Sequence, residues 1–247
     1  MDRLTELLDN QYPPIAIYHT PIVPDNSEKA AEEHCIIRSF FIPALKEGRS
    51  IYGAPEDLRC GGPISGFCIE ESGRRDMLLD AYSTKNGYFD SPERVKQNYI
   101  DPLRLPFTTK EYIVFEPLTK AIERRAEPEV VVFLADPLHI SALTVLAGYA
   151  RESSDAPVEM RFALGCENLY LMPIIESQKE NPKCIVGFTD FYVRKIIDPD
   201  KFSFSIPYKL YVKMNAQAED SFLTRGRWNQ PYDPNAKHGH HAAKTNN

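Results

Sequence analysis

The 247-residue chain has no apolar run close to the ~20 residues that a membrane-spanning helix needs. Its first six residues, MDRLTE, lack the basic and apolar regions of a secretory signal. A basic face is also missing, because 29 Lys and Arg are interleaved with 35 Asp and Glu and the net charge is -6. Phosphate binding needs concentrated positive charge. We therefore expect a cytoplasmic protein without nucleic-acid or membrane partners, whose partner is a small-molecule ligand or a redox partner protein.

Cysteine is scarce and unevenly spaced. An odd number of cysteines at irregular intervals does not form a disulfide framework, and in a reducing compartment it indicates free thiols, metal ligands or redox groups. The tight C-x-x-C spacing of many iron–sulfur and zinc sites is absent. Any metal site must therefore draw its thiolates from separate segments. The five cysteines are Cys35, Cys60, Cys68, Cys166 and Cys184.

The stretch from Arg59 to Cys68 combines two cysteines, three glycines and a proline within ten residues. Glycine permits positive φ and close approach of a partner to the main chain, and Pro63 fixes one φ. This composition predicts a shaped loop and not a helix or a central strand. Such a loop offers thiolates and backbone N–H groups to a metal, a cluster or an anion, through Gly61, Gly62 and Gly66. The alternative is a tight connection whose cysteines are small buried hydrophobic residues.

Hydrophobic periodicity predicts an α/β (or α+β) fold in which a single mixed sheet is flanked by helices. Val130–Leu134 is apolar throughout, which is typical of a strand buried on both faces. A helix containing Cys35 is predicted over 28–41, with Asp25 as its N-cap. Residues 70–110 lack a clear period and are predicted to be a long irregular excursion of short helices over the site.

A single domain is predicted over residues 1–227, followed by a disordered polar tail over 228–247. No internal repeat is recognisable in the sequence.

Cys166 follows Gly165 at the end of a strand predicted over 158–164, so it is predicted to begin a helix. The dipole of a helix N-terminus lowers a thiol pKa. Glycine turns let Cys60 and Cys166 approach each other without straining a helix or strand. We expect these two thiols to share a ligand, in a crevice that the start of the helix at Pro137 also lines.

Several features occur in a recognisable order over residues 12–215. They are Cys35, Cys60-Gly61-Gly62 with Gly66, Pro117-Leu118, the apolar strand before Pro137, Gly165-Cys166, and Gly187 with Arg194 beyond it. This order resembles domain-of-unknown-function family 169, a family of archaea and largely anaerobic bacteria. The resemblance implies a soluble intracellular protein whose recurring thiols match Cys35, Cys60 and Cys166, whereas Cys68 and Cys184 match less clearly. No activity comes with the family.

Three classes of function fit these residues. The first is a redox protein that binds an iron–sulfur cluster or another metal through dispersed thiolates, with all five cysteines as candidate ligands. The second is a metal-free thiol redox protein, for which the chain offers no Cys-His-Asn spacing of a known hydrolase. The third is a small-anion-binding module built from Gly61, Gly62 and Gly66 with Arg74, Arg75 or Arg194. Whether the protein is an enzyme stays open.

Overall fold

A computed structural model describes residues 2–33, 35–58, 60–69, 74–225 and 228. Within these residues one mixed sheet has the strand order β2-β3-β4-β1-β5-β8-β7-β6, which confirms the predicted fold class. The strands are β1 Ile15–Thr20, β2 Glu28–Lys29, β3 Ile51–Gly53, β4 Tyr112–Pro117, β5 Val130–Ala135, β6 Val158–Met160, β7 Cys184–Gly187 and β8 Phe202–Pro207.

Helices cover both faces of the sheet. The α-helices are α1 Arg3–Leu8, α2 Ile42–Glu47, α3 Gly61–Gly66, α4 Arg74–Asp80, α5 Pro92–Val95, α6 Leu118–Glu123, α7 Pro137–Gly148, α8 Met172–Ser177, α9 Phe191–Arg194 and α10 Tyr208–Gln217. π-Helical turns occur at Ile37–Phe41, Ala81–Lys85, Lys96–Ile100 and Glu167–Leu171, and 3₁₀ turns at Pro55–Asp57, Asp101–Leu103 and Phe222–Thr224. No helix in the described ranges is both long and apolar enough to cross a membrane.

The sheet separates two hydrophobic cores. On one face, here called the site face, side chains such as Ile17 and Val132 pack against α2, α8 and the residues after α3. On the opposite face, the far face, side chains such as Ala16 and Val131 pack against α1, α7 and α10. Every residue of β5 is buried. The prediction of a strand covered on both faces is therefore confirmed.

The two halves of the sheet have the same topology. Read outward from the antiparallel β1–β5 pair, the order is β1-β4-β3-β2 on one side and β5-β8-β7-β6 on the other. In both halves the first two pairings are antiparallel and the outermost pairing is parallel. Ala16 and Val131 face each other at the centre, with Ile15 opposite Val132 and Ile17 opposite Val130. This pattern is that of an internal duplication about a pseudo-twofold axis, which the sequence did not reveal.

Equivalent segments of the two halves carry Cys35 and Cys166. Glu28 pairs with Ile51 at the edge of one half, and Glu159 pairs with Ile185 at the edge of the other. Cys35 lies seven positions after Glu28, and Cys166 lies seven positions after Glu159. Each cysteine precedes a π-helical turn that leads into a helix with proline at its second position, α2 or α8. Proline has no N–H to donate to the preceding turn, which accounts for the widened helix in both halves.

Two predictions of local structure are wrong. Glu28–Lys29 is a strand and not the start of a helix, because the N–H groups of Glu28 and Ala30 donate to the carbonyl groups of Ser50 and Tyr52 at 2.8 Å. Cys35 therefore precedes the helical segment. Gly61–Gly66 is a helix and not a shaped loop. Pro63 lies in its first turn, where a missing N–H costs no intrahelical hydrogen bond.

From Arg74 to Leu103 the excursion is a series of short helical segments, as predicted. Of the predicted tail, only Trp228 is described, and its Nε1 donates to the carbonyl oxygen of Leu7 at 3.2 Å; residues 229–247 lie outside the described part. The helix at Pro137 does not share a crevice with Cys166, because α7 packs on the far face and Cys166 on the site face.

The duplication predicts a graded response to alanine at two equivalent glycines, the last residues of β3 and β7. A Cβ at Gly187 would lie 2.4 Å from Cβ of Asn168, whereas a Cβ at Gly53 would lie 2.4 Å from Cζ of Phe40, the far end of a ring. A ring tip can move more easily than a Cβ atom. We expect Gly187→Ala to lower the free energy of unfolding by about 2 kcal/mol and Gly53→Ala to lower it less. Urea denaturation measures both, and an equal or reversed order would contradict the assignment.

Candidate functional site

Three cysteines line one cavity of about 280 Å³ on the site face. Cys35 precedes the π-helical turn at Ile37, Cys60 precedes α3, and Cys166 precedes the turn at Glu167. The structure therefore brings together three thiols that are distant in sequence, including the pair Cys60 and Cys166. The other lining residues are Ile36, Ile37, Gly62, Leu164, Gly165, Asp190, Tyr192, Val193 and Ile196.

Glycines allow α3 to pack directly against Cys166. A Cβ at Gly66 would lie 2.8 Å from Cβ of Cys166, and a Cβ at Gly62 would lie 3.6 Å from its Sγ. Gly62 and Gly66 are four residues apart, so they share one face of α3. The two glycines thus set the distance between α3 and Cys166, and Gly62 leaves open space beside the sulfur.

The Cys166 thiol is buried, and its surroundings favour the protonated, neutral form. Burial raises its pKa well above the ordinary value, and the nearby Cys60, Cys35 and Glu167 raise it further. The expected lowering by a helix N-terminus is therefore wrong, because loss of solvent outweighs the dipole. A thiol of this kind is a weak nucleophile at neutral pH, and it becomes a thiolate most readily when a cation binds it.

The other two cysteines are more exposed than Cys166. Cys60 is exposed and Cys35 is partly exposed, whereas Cys166 is buried. The carbonyl oxygen of Cys35 accepts hydrogen bonds from the N–H groups of Arg38 and Ser39, so this cysteine is fixed at the start of its helical segment. The cavity is therefore open to solvent on the side of Cys60 and closed on the side of Cys166.

Cys184 and Cys68 do not line this cavity. Cys184 begins β7 and belongs to the core of the far face, where burial raises its pKa. The sheet thus separates its sulfur from the other candidate ligands. Cys68 is completely buried in the turn after α3 and has a φ of 57°. Of the five candidate ligands, only Cys35, Cys60 and Cys166 share a cavity.

Arg194, one of the predicted anion-binding residues, does not line this cavity; the side chains of Arg74 and Arg75 lie outside the described part of the structure. The guanidinium group of Arg194 donates to the carbonyl oxygens of Pro199 and Lys201 and lies 4.5 Å from the ring centre of Phe202. Gly61 begins α3. Gly62 lines the cavity, whereas Gly66 is not among its described lining residues. None of the described lining residues is Lys or Arg, so an anion finds no positively charged partner among them.

As the described side chains stand, no group of three or more His, Cys, Asp or Glu is arranged to hold a single metal ion. Cys35, Cys60 and Cys166 line one cavity without forming such a group.

Two buried acidic residues near Cys166 escaped the sequence analysis. Glu167 accepts a hydrogen bond from the hydroxyl of Tyr99 and another from the N–H of Leu164 at 3.1 Å. Asp190 lines the cavity, and burial raises the pKa of its carboxyl group. The only sequence signal for Asp190 is that of a helix N-cap before α9, and its Oδ1 does accept from the N–H of Tyr192 at 2.9 Å.

Fold and site together define a class: a single-sheet α/β protein with two pseudo-symmetric halves and a thiol-lined cavity. The model of domain-of-unknown-function family 169, described as uncharacterised ArCR, matches residues 3–217, and the chain belongs to this family. No curated protein and no solved structure matches the chain.

Proposed function

We propose that this protein is a cytoplasmic redox protein that binds an iron–sulfur cluster through Cys35, Cys60 and Cys166. One observation carries the proposal: three thiols from distant segments open onto a single cavity of about 280 Å³. Thiolates are the soft ligands that iron–sulfur clusters require. Cysteines that serve only as core packing are not expected to line the same cavity. Cys184, which packs in the core of the far face, does not line this one.

A cavity lined by three cysteines fits a cluster better than a single ion. Around one ion, every ligand must approach the same point, and the described side chains form no such group. In a [4Fe–4S] cluster each cysteine binds a different iron atom, so the sulfurs are spread around the cofactor. Three cysteines that line one cavity suit this second arrangement.

The apolar lining supports a redox role. Ile37, Leu164 and Val193 surround the thiols, and burial is one of the factors that set the reduction potential of a cluster. When bound, a cluster supplies one-electron transfer. Cys60 is exposed, so a redox partner protein can approach the cofactor from that side.

A metal-free thiol redox protein is the second candidate. The observation that favours it is the proximity of two cysteines, the exposed Cys60 and the buried Cys166. Cys60 is close enough to raise the pKa of the Cys166 thiol. Two neighbouring thiols without further ligands readily form a redox pair.

Anaerobic purification from iron-supplied cells tests the proposal. We expect a brown protein containing iron and acid-labile sulfide, and we expect Cys35→Ser, Cys60→Ser and Cys166→Ser each to lower the iron content about tenfold or more. Cys184→Ser is the matched control and is expected to keep the wild-type spectrum, because its sulfur lies on the far face. Circular dichroism checks that each variant is folded.

Two results would overturn the cluster. One is a colourless wild-type protein, and the other is an equal loss of iron in Cys184→Ser. A colourless protein in which oxidation joins Cys60 to Cys166, detected by peptide mass analysis, would establish the thiol pair instead.

A further inference from the structure

The cavity is also lined by an acidic residue, Asp190, that has no cationic partner in the described part of the chain. Asp190 is 8% exposed and lines the cavity together with the three cysteines. Its carboxyl group accepts hydrogen bonds from the backbone N–H groups of Tyr192 and Gly165. Among the described residues, no Lys or Arg forms an ion pair with it or contributes a charge that acts on it.

A buried carboxylate in this setting is costly. Buried charges in proteins are normally paired with an opposite charge or bound to a metal. Two backbone N–H groups satisfy part of its hydrogen-bonding capacity, but they supply no net positive charge. The helix N-cap role does not explain the residue fully, because Ser, Thr or Asn would cap α9 without bringing a charge into an apolar cavity. Bound iron would supply the missing positive charge.

Asp190 and Cys60 lie on equivalent connections of the two halves. Cys35 and Cys166 occupy equivalent segments before the helices of the two halves. Cys60 lies on the connection from β3 to β4, and Asp190 lies on the equivalent connection from β7 to β8. The four groups are therefore two pairs around one cavity. Where one half supplies a second thiol, the other supplies a carboxyl group.

We infer that the carboxylate of Asp190 is the fourth ligand of the cofactor, in the place that a fourth cysteine takes in an all-thiolate site. The inference rests on the proposed function and adds one residue to it. Carboxylate oxygen is a harder ligand than thiolate, so it holds iron in a sulfur-rich cluster less firmly. One iron atom of the cluster is therefore expected to be more easily removed or exchanged than the others.

The experiment compares variants of the cluster-loaded full chain under anaerobic conditions. Asp190→Cys supplies a fourth thiolate, and we expect it to slow the chelator-induced release of the first iron about tenfold. Asp190→Asn and Asp190→Ser retain an N-cap for α9 but remove the anionic ligand, and we expect both to speed that release about tenfold. The electron paramagnetic resonance spectrum of the reduced protein is expected to change in Asp190→Cys.

Asp136→Asn is the matched control, because Asp136 also caps a helix but on α7, which packs on the far face. It is expected to release iron as the wild type does. If the wild type is brown and all three Asp190 variants release iron within about twofold of it with unchanged spectra, Asp190 is not a ligand and the cluster proposal stands. If the wild type carries no cluster, both are overturned.

Discussion

Replacing Gly66 with alanine is expected to lower the free energy of unfolding by about 3 kcal/mol and to abolish cofactor binding. The new Cβ would lie 2.8 Å from Cβ of Cys166, 3.1 Å from its carbonyl carbon and 3.3 Å from the nitrogen of Glu167. None of these atoms belongs to a flexible side-chain end. The helix α3 must therefore move away from Cys166, and Cys60 at its start moves with it. Urea denaturation and iron analysis measure the two effects.

Gly62→Ala is the matched control on the same face of α3. Its Cβ would lie 3.2 Å from Cδ1 of Leu164, a flexible atom, and 3.6 Å from Sγ of Cys166, which is ordinary contact. We expect this variant to stay folded with near wild-type stability while its methyl group occupies space beside the sulfur. Iron content should fall without a loss of stability. Gly66→Ala with wild-type stability, or Gly62→Ala as unstable as Gly66→Ala, would contradict this account of the packing.

The sequence predicts those elements whose pattern of apolar residues and glycines follows directly from their burial and packing. Val130–Leu134 is identifiable because a strand covered on both faces needs apolar residues at every position. The helical start at Cys166 is identifiable from the turn at Gly165. The proximity of Cys60 and Cys166 follows from their glycine neighbours, since a residue without Cβ marks a close approach of two segments.

Other elements depend on distant partners. The strand Glu28–Lys29 has two exposed charged residues, and only its pairing with β3 makes it a strand. The helix α3 has a composition that disfavours helix, and its glycines serve the contact with Cys166. Tertiary packing decides both cases. Cys184 shows a further limit, because a strand buried on both faces gives no periodicity that tells which core a side chain enters.

The duplication is hidden in the sequence because the connections differ between the halves. The segment between β3 and β4 covers residues 54–111, and the equivalent segment between β7 and β8 covers residues 188–201. Equivalent strand positions also hold different residues in the two halves. Phe115 lies opposite Ile51 in one half, and Ser205 lies opposite Ile185 in the other. Sheet registers, which sequence periodicity does not supply, are needed to recognise the repeat and with it the relation of Asp190 to Cys60.

Arg124→Met is expected to lower the free energy of unfolding by about 3 kcal/mol, because it leaves a buried carboxylate without its cation. Glu116 is completely buried at the end of β4, 2.9 Å from a guanidinium nitrogen of Arg124. Its oxygens also accept from the hydroxyls of Tyr18 and Ser50, each at 2.7 Å. These hydroxyls cannot replace the lost positive charge. Chemical denaturation of the variant measures the change.

The double variant Glu116→Gln with Arg124→Met tests whether the unneutralised charge of Glu116 causes this loss of stability. A neutral amide can still bond to the hydroxyls of Tyr18 and Ser50 and carries no charge to compensate, so we expect the double variant to be more stable than Arg124→Met alone. Arg49→Met serves as a control, because Arg49 pairs with Glu28 and Glu47 at the exposed surface and its removal should change stability little. If the double variant is less stable than Arg124→Met, Arg124 stabilises the protein through its packing and its hydrogen bond to the carbonyl oxygen of Asp25, and not by neutralising Glu116.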